Sequence, residues 1–319
     1  MMVSRELVFV GIDVGKFTCV AAVHGRAGVL SFVPDAPGIA QLHGFLATLQ
    51  GELRVGLEAT GGYEAALWEA LEAAGVHVRQ LAPARVHAFA RSVGRLTKTD
   101  RYDAVTIAAC LAANPEAGRR LPTANVREIS ALCGKRRQLI EMRKALTCQM
   151  KQTRDPAITA LNDTHLALIE ARIATLEATL EATVDARIAA DPELAQKRRL
   201  LRSIPGIGEV ASATLLAEMP EPGSLRPRAA AALAGLAPFS RDSGTVTGKR
   251  FIQGGRAVVR SVLYMAALSA SHHNPSLKPF AANLKANHKP GKVTLTAVAR
   301  KLVELANAIL TRRTEWVVK

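Results

Sequence analysis

Residues 7–33 read LVFVGIDVGKFTCVAAVHGRAGVLSFV. Three runs of β-type composition can be cut from this stretch, Leu7–Ile12, Cys19–His24 and Val29–Val33, with Gly25 and Gly28 bracketing the second turn. The first run ends on an acid, Asp13, within Gly11-Ile12-Asp13-Val14-Gly15-Lys16. Working outward, helical and strand patterns alternate. A helix fits Ile39–Leu49, a strand Leu53–Leu57, a helix Glu64–Ala74 closed by Gly75, and a strand Val76–Leu81. Helices fit Arg85–Ser92 and Arg101–Ala113.

Three successive strands followed by alternating helix and strand predict a mixed sheet covered by helices, the RNase H-like (RuvC-like) order, over residues 1–122. Residues 123–198 are helical. Leu132, Leu139 and Leu146 recur at seven, with Ile129, Arg136, Arg143 and Met150 in the complementary register. After Asp155-Pro156 a second seam runs through Leu166, Ile169, Ile173, Leu176 and Leu180. Two long amphipathic helices follow, either an antiparallel hairpin or a dimerising coiled coil. Residues 199–319 are mainly helical with basic loops. The fold class is therefore α/β plus α: an RNase H-like domain, a helical coiled-coil middle and a helical basic C-terminal domain.

Charge is distributed unevenly. Residues 1–120 carry 12 Lys and Arg against 11 Asp and Glu, net +1; residues 121–200 carry 13 against 10, net +3. Residues 201–319 carry 17 against 6, net +11, which suggests a polyanion-binding module at that end. Cys19, Cys110, Cys133 and Cys148 form no CxxC pair and sit in apolar patterns, so they read as buried free thiols of a reducing compartment. No apolar run matches a membrane span and no secretory leader is visible, so a cytoplasmic protein without membrane contact is expected.

Four acids stand out by placement. Asp13 and Glu58 each end a strand, and these strands are neighbours in an RNase H-like sheet, so the two project side by side. Asp100 and Asp103 lie on one face of a helix start. An all-oxygen ligand set suits Mg²⁺ or Mn²⁺. Two such ions about 4 Å apart can clamp the attacking and leaving oxygens of an in-line phosphoryl displacement. A strand-end Asp also serves as a turn residue, and an Asp pair at a helix start also matches the helix dipole.

In the C-terminal third, Pro205-Gly206-Ile207-Gly208 precedes an Ala-rich helix in the form of a helix-hairpin-helix, whose N–H groups can hold a phosphate. The loop Ser240–Gly255 adds Lys249 and Arg250, and Arg256 and Arg260 follow it. With Lys16 and Lys98 beside the acidic motifs, and Gly206 and Gly208, these are the candidate nucleic-acid contacts. A serine beside glycine in such a loop, with cations to hold a phosphate, suits nucleophilic attack on DNA; Ser243-Gly244 fits, and Ser240 competes.

The motifs GIDVGK, EATGGYE and KTDRYDA resemble those of the DEDD transposases, which include the Piv-like DNA invertases and the bridge-RNA-guided insertion-sequence recombinases. The likeness continues through SIPGIG to GLAPFSRDSGTVTGKRFIQGG. It implies a Holliday-resolvase-like site at Asp13, Glu58, Asp100 and Asp103 binding two Mg²⁺ or Mn²⁺ ions. It implies Ser243 as a nucleophile forming a phosphoserine–DNA link, with the metals of one subunit activating the serine of another in a dimer or tetramer. It also implies double-stranded target and donor DNA paired by a structured guide RNA. Three other readings compete. An actin-fold sugar kinase shares a GIDVGK-like loop, but Gly61-Gly62 and Gly254-Gly255 do not supply its other phosphate and adenosine loops. A junction resolvase would cut with water, and a structural nucleic-acid binder would be indifferent to Mg²⁺.

Overall fold

In the computed structural model the described residues are Glu6–Val317 except Leu96, Lys98, Arg241, Val246, Thr247 and Lys249. The chain divides into two compact units, residues 1–122 and 123–319.

The first unit contains β1 (Leu7–Val14), β2 (Cys19–Val23), β3 (Leu30–Phe32), α1 (Ala36–Ala47), β4 (Glu52–Glu58), α2 (Ala65–Ala73), β5 (His77–Leu81), α3 (Pro83–Ser92) and α4 (Asp100–Ala113). Its sheet has the order β3-β2-β1-β4-β5, with β1, β4 and β5 parallel and β2 antiparallel to both neighbours. A mixed sheet of this order is compatible with the RNase H-like reading, and all five strands fall where the sequence places them. Strand alternation sorts the side chains. Val8, Val10, Ile12 and Val14 of β1 join Val55 and Leu57 of β4 in one cluster with Leu42 and Leu46 of α1 and Leu67, Trp68 and Leu71 of α2. Fully buried aliphatic side chains such as Ile12 and Leu57 stabilise the fold by roughly 1.5–3 kcal/mol each. The other face of the sheet belongs to α4. There, Ala104 packs with Val20 and Ala22, while Ile107 and Leu111 pack with Leu81.

Local chemistry sets the helix starts. Asp35 caps α1 by accepting from the Gly38 N–H at 2.8 Å. Thr99 caps α4, its hydroxyl accepting from the Tyr102 N–H at 3.4 Å.

The second unit contains α5 (Ala124–Met150), α6 (Pro156–Ala190), α7 (Pro192–Arg202), α8 (Glu209–Glu218), α9 (Pro227–Leu233), β6 (Pro238–Phe239), β7 (Phe251–Ile252), α10 (Ala257–His273), α11 (Leu277–Ala286) and α12 (Gly291–Arg312). The helices α5 and α6 pack on each other within the chain. Arg136, at a seam position of α5, is not an unpaired charge: its Nε donates to Glu177 of α6 at 2.6 Å. Ile129, Cys133, Leu180 and Val184 join the same core cluster as α7–α12, so the base of this hairpin shares a core with the C-terminal helices. Cys19, Cys110 and Cys133 are buried free thiols as expected, but Cys148 is exposed, because it lies on the solvent side of α5. Among the described residues no helix is long and apolar enough to cross a membrane.

Candidate functional site

Two glycines in register organise the acidic edge. Gly11 of β1 pairs with Gly56 of β4, and each stands two residues before an acid, Asp13 and Glu58. A Cβ at Gly11 would lie 2.2 Å from the Ala104 carbonyl oxygen and 2.3 Å from the Ala108 nitrogen. One at Gly56 would meet Ile107 Cγ2 and Leu111 Cδ2, both at 3.2 Å. The pair forms a trough for α4: at Gly11 the helix lies backbone-on-strand, an approach that any side chain would block, and at Gly56 it presses side chains close against the strand. Alternation puts Asp13 and Glu58 on that same face, one step past the trough on adjacent strands about 4.8 Å apart. Since Ala104 packs against Val20, the register partner of Asp13, the first turn of α4 with Asp100 and Asp103 lies beside the end of β1. Asp13, Glu58 and Asp103 are half-buried and Asp100 is exposed.

Asp13, Glu58, Asp100 and Asp103 offer the all-oxygen donor chemistry that suits a hard divalent cation such as Mg²⁺ or Mn²⁺. Among the described residues, no three His, Cys, Asp or Glu side chains are gathered closely enough to hold a metal ion. Burial pushes the Cys19 thiol above the usual range; a backbone hydrogen bond at Gly15 partly offsets this, and the nearby Asp13 charge adds a smaller upward push. Cys19 is thus a protonated core residue.

Sequence reasoning passed over Glu64, although it stands in the quoted motif EATGGYE. This buried carboxylate accepts from the Thr60 N–H at 3.2 Å, the Thr60 hydroxyl at 3.0 Å and the Gly62 N–H at 2.9 Å. Its other oxygen accepts from Gln80 Nε2 of β5 at 2.7 Å. The loop that leaves Glu58 is therefore pinned to the neighbouring strand. A Glu six residues past a strand-end acid, behind Gly-Gly, was the available signal.

In the second unit, Ser243 and Ser240 are both exposed on the loop joining β6 to β7. Asp242 ties the arms of that loop, accepting from the Gly248 N–H at 3.0 Å and from Arg250 at 2.5 Å. The Arg250 guanidinium holds the Asp242 carboxyl below the usual range. At the loop base, a Cβ on Gly255 would lie 2.2 Å from the Gly235 nitrogen, so the two backbones touch. Arg256 and Arg260, expected at DNA, are engaged here. Arg256 donates through both terminal nitrogens to Glu221, one bond at 2.6 Å, and to the Glu218 carbonyl at 2.8 Å. Arg260 donates to the Gly254 carbonyl at 2.7 Å.

Gly206 has φ 106°, and a Cβ there would meet Ala270 Cβ at 2.5 Å, so its requirement for glycine is explained by packing on α10. Gly208 caps α8 in open space, but Glu209 in the first turn already pairs with Arg198 and Arg202. Lys16 is exposed in the β1–β2 turn; Lys98 and Lys249 lie outside the described residues.

Comparison with known proteins identifies the family of the chain. Residues 10–155 match a DEDD-type model described as "Transposase", and residues 198–282 match "Transposase IS116/IS110/IS902 family". The pilin gene-inverting proteins of Moraxella lacunata and Moraxella bovis are each 29% identical over 322 residues, covering 95% of this chain and 95% of theirs. The first match spans all four acids and the second spans the serine loop, in one chain aligned nearly end to end with pilin gene-inverting proteins. The chain belongs to the IS110-type DEDD transposases and is a DNA-rearranging enzyme.

Proposed function

We propose that the chain cuts and rejoins DNA by in-line phosphoryl transfer, with Asp13, Glu58, Asp100 and Asp103 holding divalent cations and Ser243 as the nucleophile. The observation that carries this reading is the Gly11–Gly56 trough, which seats α4 on the same sheet face as Asp13 and Glu58. Mg²⁺ or Mn²⁺ held by these acids would supply charge stabilisation to the attacked phosphate. The acids bind, and the Glu64-pinned loop keeps Glu58 oriented. The Ser243 oxygen forms the new P–O bond as the P–O bond to the departing strand end breaks, and the serine proton passes, through water, to the departing oxygen. Phosphodiester energy is conserved in the phosphoserine, so rejoining needs no nucleotide cofactor. Lys16, Lys98, Lys249 and Arg250 are assigned to phosphates, with Gly208 at the helix-hairpin-helix. Arg256, Arg260 and Gly206 hold the fold around them. By family likeness, the serine meets the acids of another subunit in a dimer or tetramer, and a structured RNA pairs with target and donor DNA.

The test is to stall the reaction on labelled DNA, denature it and look for label migrating with protein. Wild type should give an adduct whose peptide contains Ser243, and Ser243→Ala should bind DNA yet give none. An adduct on Ser240 would move the nucleophile and leave the mechanism standing. Cleavage with no adduct on any residue would favour the water-using resolvase.

A further inference from the structure

Aromatic side chains are scarce in this chain, with 8 Phe, 3 Tyr and 2 Trp in 319 residues. Large rings are normally well buried. In the first unit Phe9, Phe32, Phe45, Trp68 and Phe89 follow this rule and join the core clusters. Phe17, Tyr63 and Tyr102 do not: they are 74%, 54% and 50% exposed. All three stand on the elements that carry the acids. Phe17 lies in the turn leaving β1, four residues past Asp13. Tyr63 lies in the loop leaving β4, five past Glu58, and that loop is fixed by Glu64. Tyr102 lies in the first turn of α4 between Asp100 and Asp103. Scattered exposed rings need no explanation. A set of three confined to one edge, while every other ring of the unit packs inward, does.

Two of the rings follow a cation directly, in Lys16-Phe17 and Arg101-Tyr102. The Lys16 Nζ lies over the Phe17 ring, 5.1 Å from its centroid, and Arg101 is exposed. A flat ring beside a cation matches a nucleotide, whose base offers a π face and whose phosphate offers negative charge. Within a duplex the base faces are covered by their neighbours, so an exposed ring can stack only on a base that has left the helix.

We propose that Phe17, Tyr63 and Tyr102 form an aromatic collar that stacks on unpaired nucleobases next to the phosphate being cut, with Lys16 and Arg101 holding the adjoining phosphates. This rests on the reading that the acid edge is where DNA is cut. The collar gives the enzyme a preference for DNA locally opened at the exchange point. Duplex held shut would be gripped through its phosphates alone.

The test uses the full-length protein, in EDTA so that no cutting occurs, and a single-stranded oligothymidylate carrying iododeoxyuridine. Irradiation joins the halogenated base to the ring stacked on it, and peptide mapping reads the position. Adducts are expected at Phe17, Tyr63 or Tyr102. The triple variant Phe17→Leu, Tyr63→Leu, Tyr102→Leu should lose them. It should bind the single strand at least about fivefold more weakly at about 0.15 M salt, with duplex affinity held within about twofold. The aromatic exchanges Phe17→Tyr, Tyr63→Phe and Tyr102→Phe should restore binding. Adducts mapping only to residues 123–319, or a triple variant that binds the single strand like wild type or loses duplex and single strand equally, would overturn the proposal. Recombination by Asp13→Asn separates the two readings. An inactive Asp13→Asn with adducts elsewhere removes the collar alone. A fully active Asp13→Asn with adducts on the three rings removes the acid edge as the cutting site and leaves the collar as a base-binding surface.

Discussion

The two units carry charge in opposite ways. The first is nearly neutral, 12 cationic against 11 anionic residues over 1–120, yet its acids are sorted so that Asp13, Glu58, Asp100 and Asp103 fall along one edge. The second is strongly basic, yet many of its cations are closed into internal pairs: Arg136 with Glu177, Arg198 with Asp185 and Glu209, Arg256 with Glu221. Net charge describes the far field that draws DNA in. It does not say which side chains touch DNA, because that depends on where the fold places each charge.

The sharpest way to break this comparison is at the sorted acids. Asp13→Asn and Glu58→Gln should each lower recombination by about a thousandfold, the loss expected when several kcal/mol of transition-state stabilisation disappear. Thermal unfolding and DNA binding should stay near wild type. A variant recombining at wild-type rate would sink the site.

Next comes the trough beneath the acids. Gly11→Ala places a Cβ against backbone atoms that cannot swing away, so a loss of about 2–3 kcal/mol in urea unfolding is expected. Gly44→Ala on α1 meets open space and should be neutral or stabilising by up to about 1 kcal/mol. Equal behaviour of the two would show that the close approach of α4 is unimportant.

The smaller effects sharpen the contrast among cations. Arg256→Gln should cost about 1–3 kcal/mol of stability and leave the salt dependence of DNA binding unchanged, because its fork faces Glu221. Arg250→Gln should do the reverse, lowering the salt slope by about 1 at near-constant stability, because its pair with Asp242 lies open to solvent and is worth little. Smallest is a labelling difference: at neutral pH an alkylating reagent should modify Cys148 well before Cys19, whose buried thiol is held protonated. Faster labelling of Cys19 would contradict that placement.

The sheet was legible because its signals are local. Strand alternation, the turn glycines at 25 and 28, and an acid two residues past a glycine on both β1 and β4 can each be read within ten residues. The seam Leu166, Ile169, Ile173, Leu176, Leu180 also turned out at least half-buried, as a 3.6-residue period predicts. What escaped depends on contacts far apart in sequence. Gly206 resembles a phosphate-binding glycine until Ala270 is found against it. Arg256 resembles a DNA-facing cation until Glu221, thirty-five residues earlier, is found opposite. Glu64 reads in sequence only as a helix start because its partner Gln80 sits on a strand sixteen residues later. Cys148 falls in an apolar-looking run whose helix turns that position to solvent.

The touching backbones at Gly235 and Gly255 set a limit on how far the serine can travel. With the hairpin base fixed there, Phe239 paired to Phe251 and Asp242 bonded to Gly248 and Arg250, Ser243 stands no more than four residues beyond the β6–β7 pairing. A chain of that length spans at most about 13–14 Å when fully drawn out. The hydroxyl therefore stays within a sphere no more than about 27 Å across. If Ser243 is the nucleophile proposed above, a scissile phosphate has to be brought into that volume, since the loop alone has no slack to fetch it.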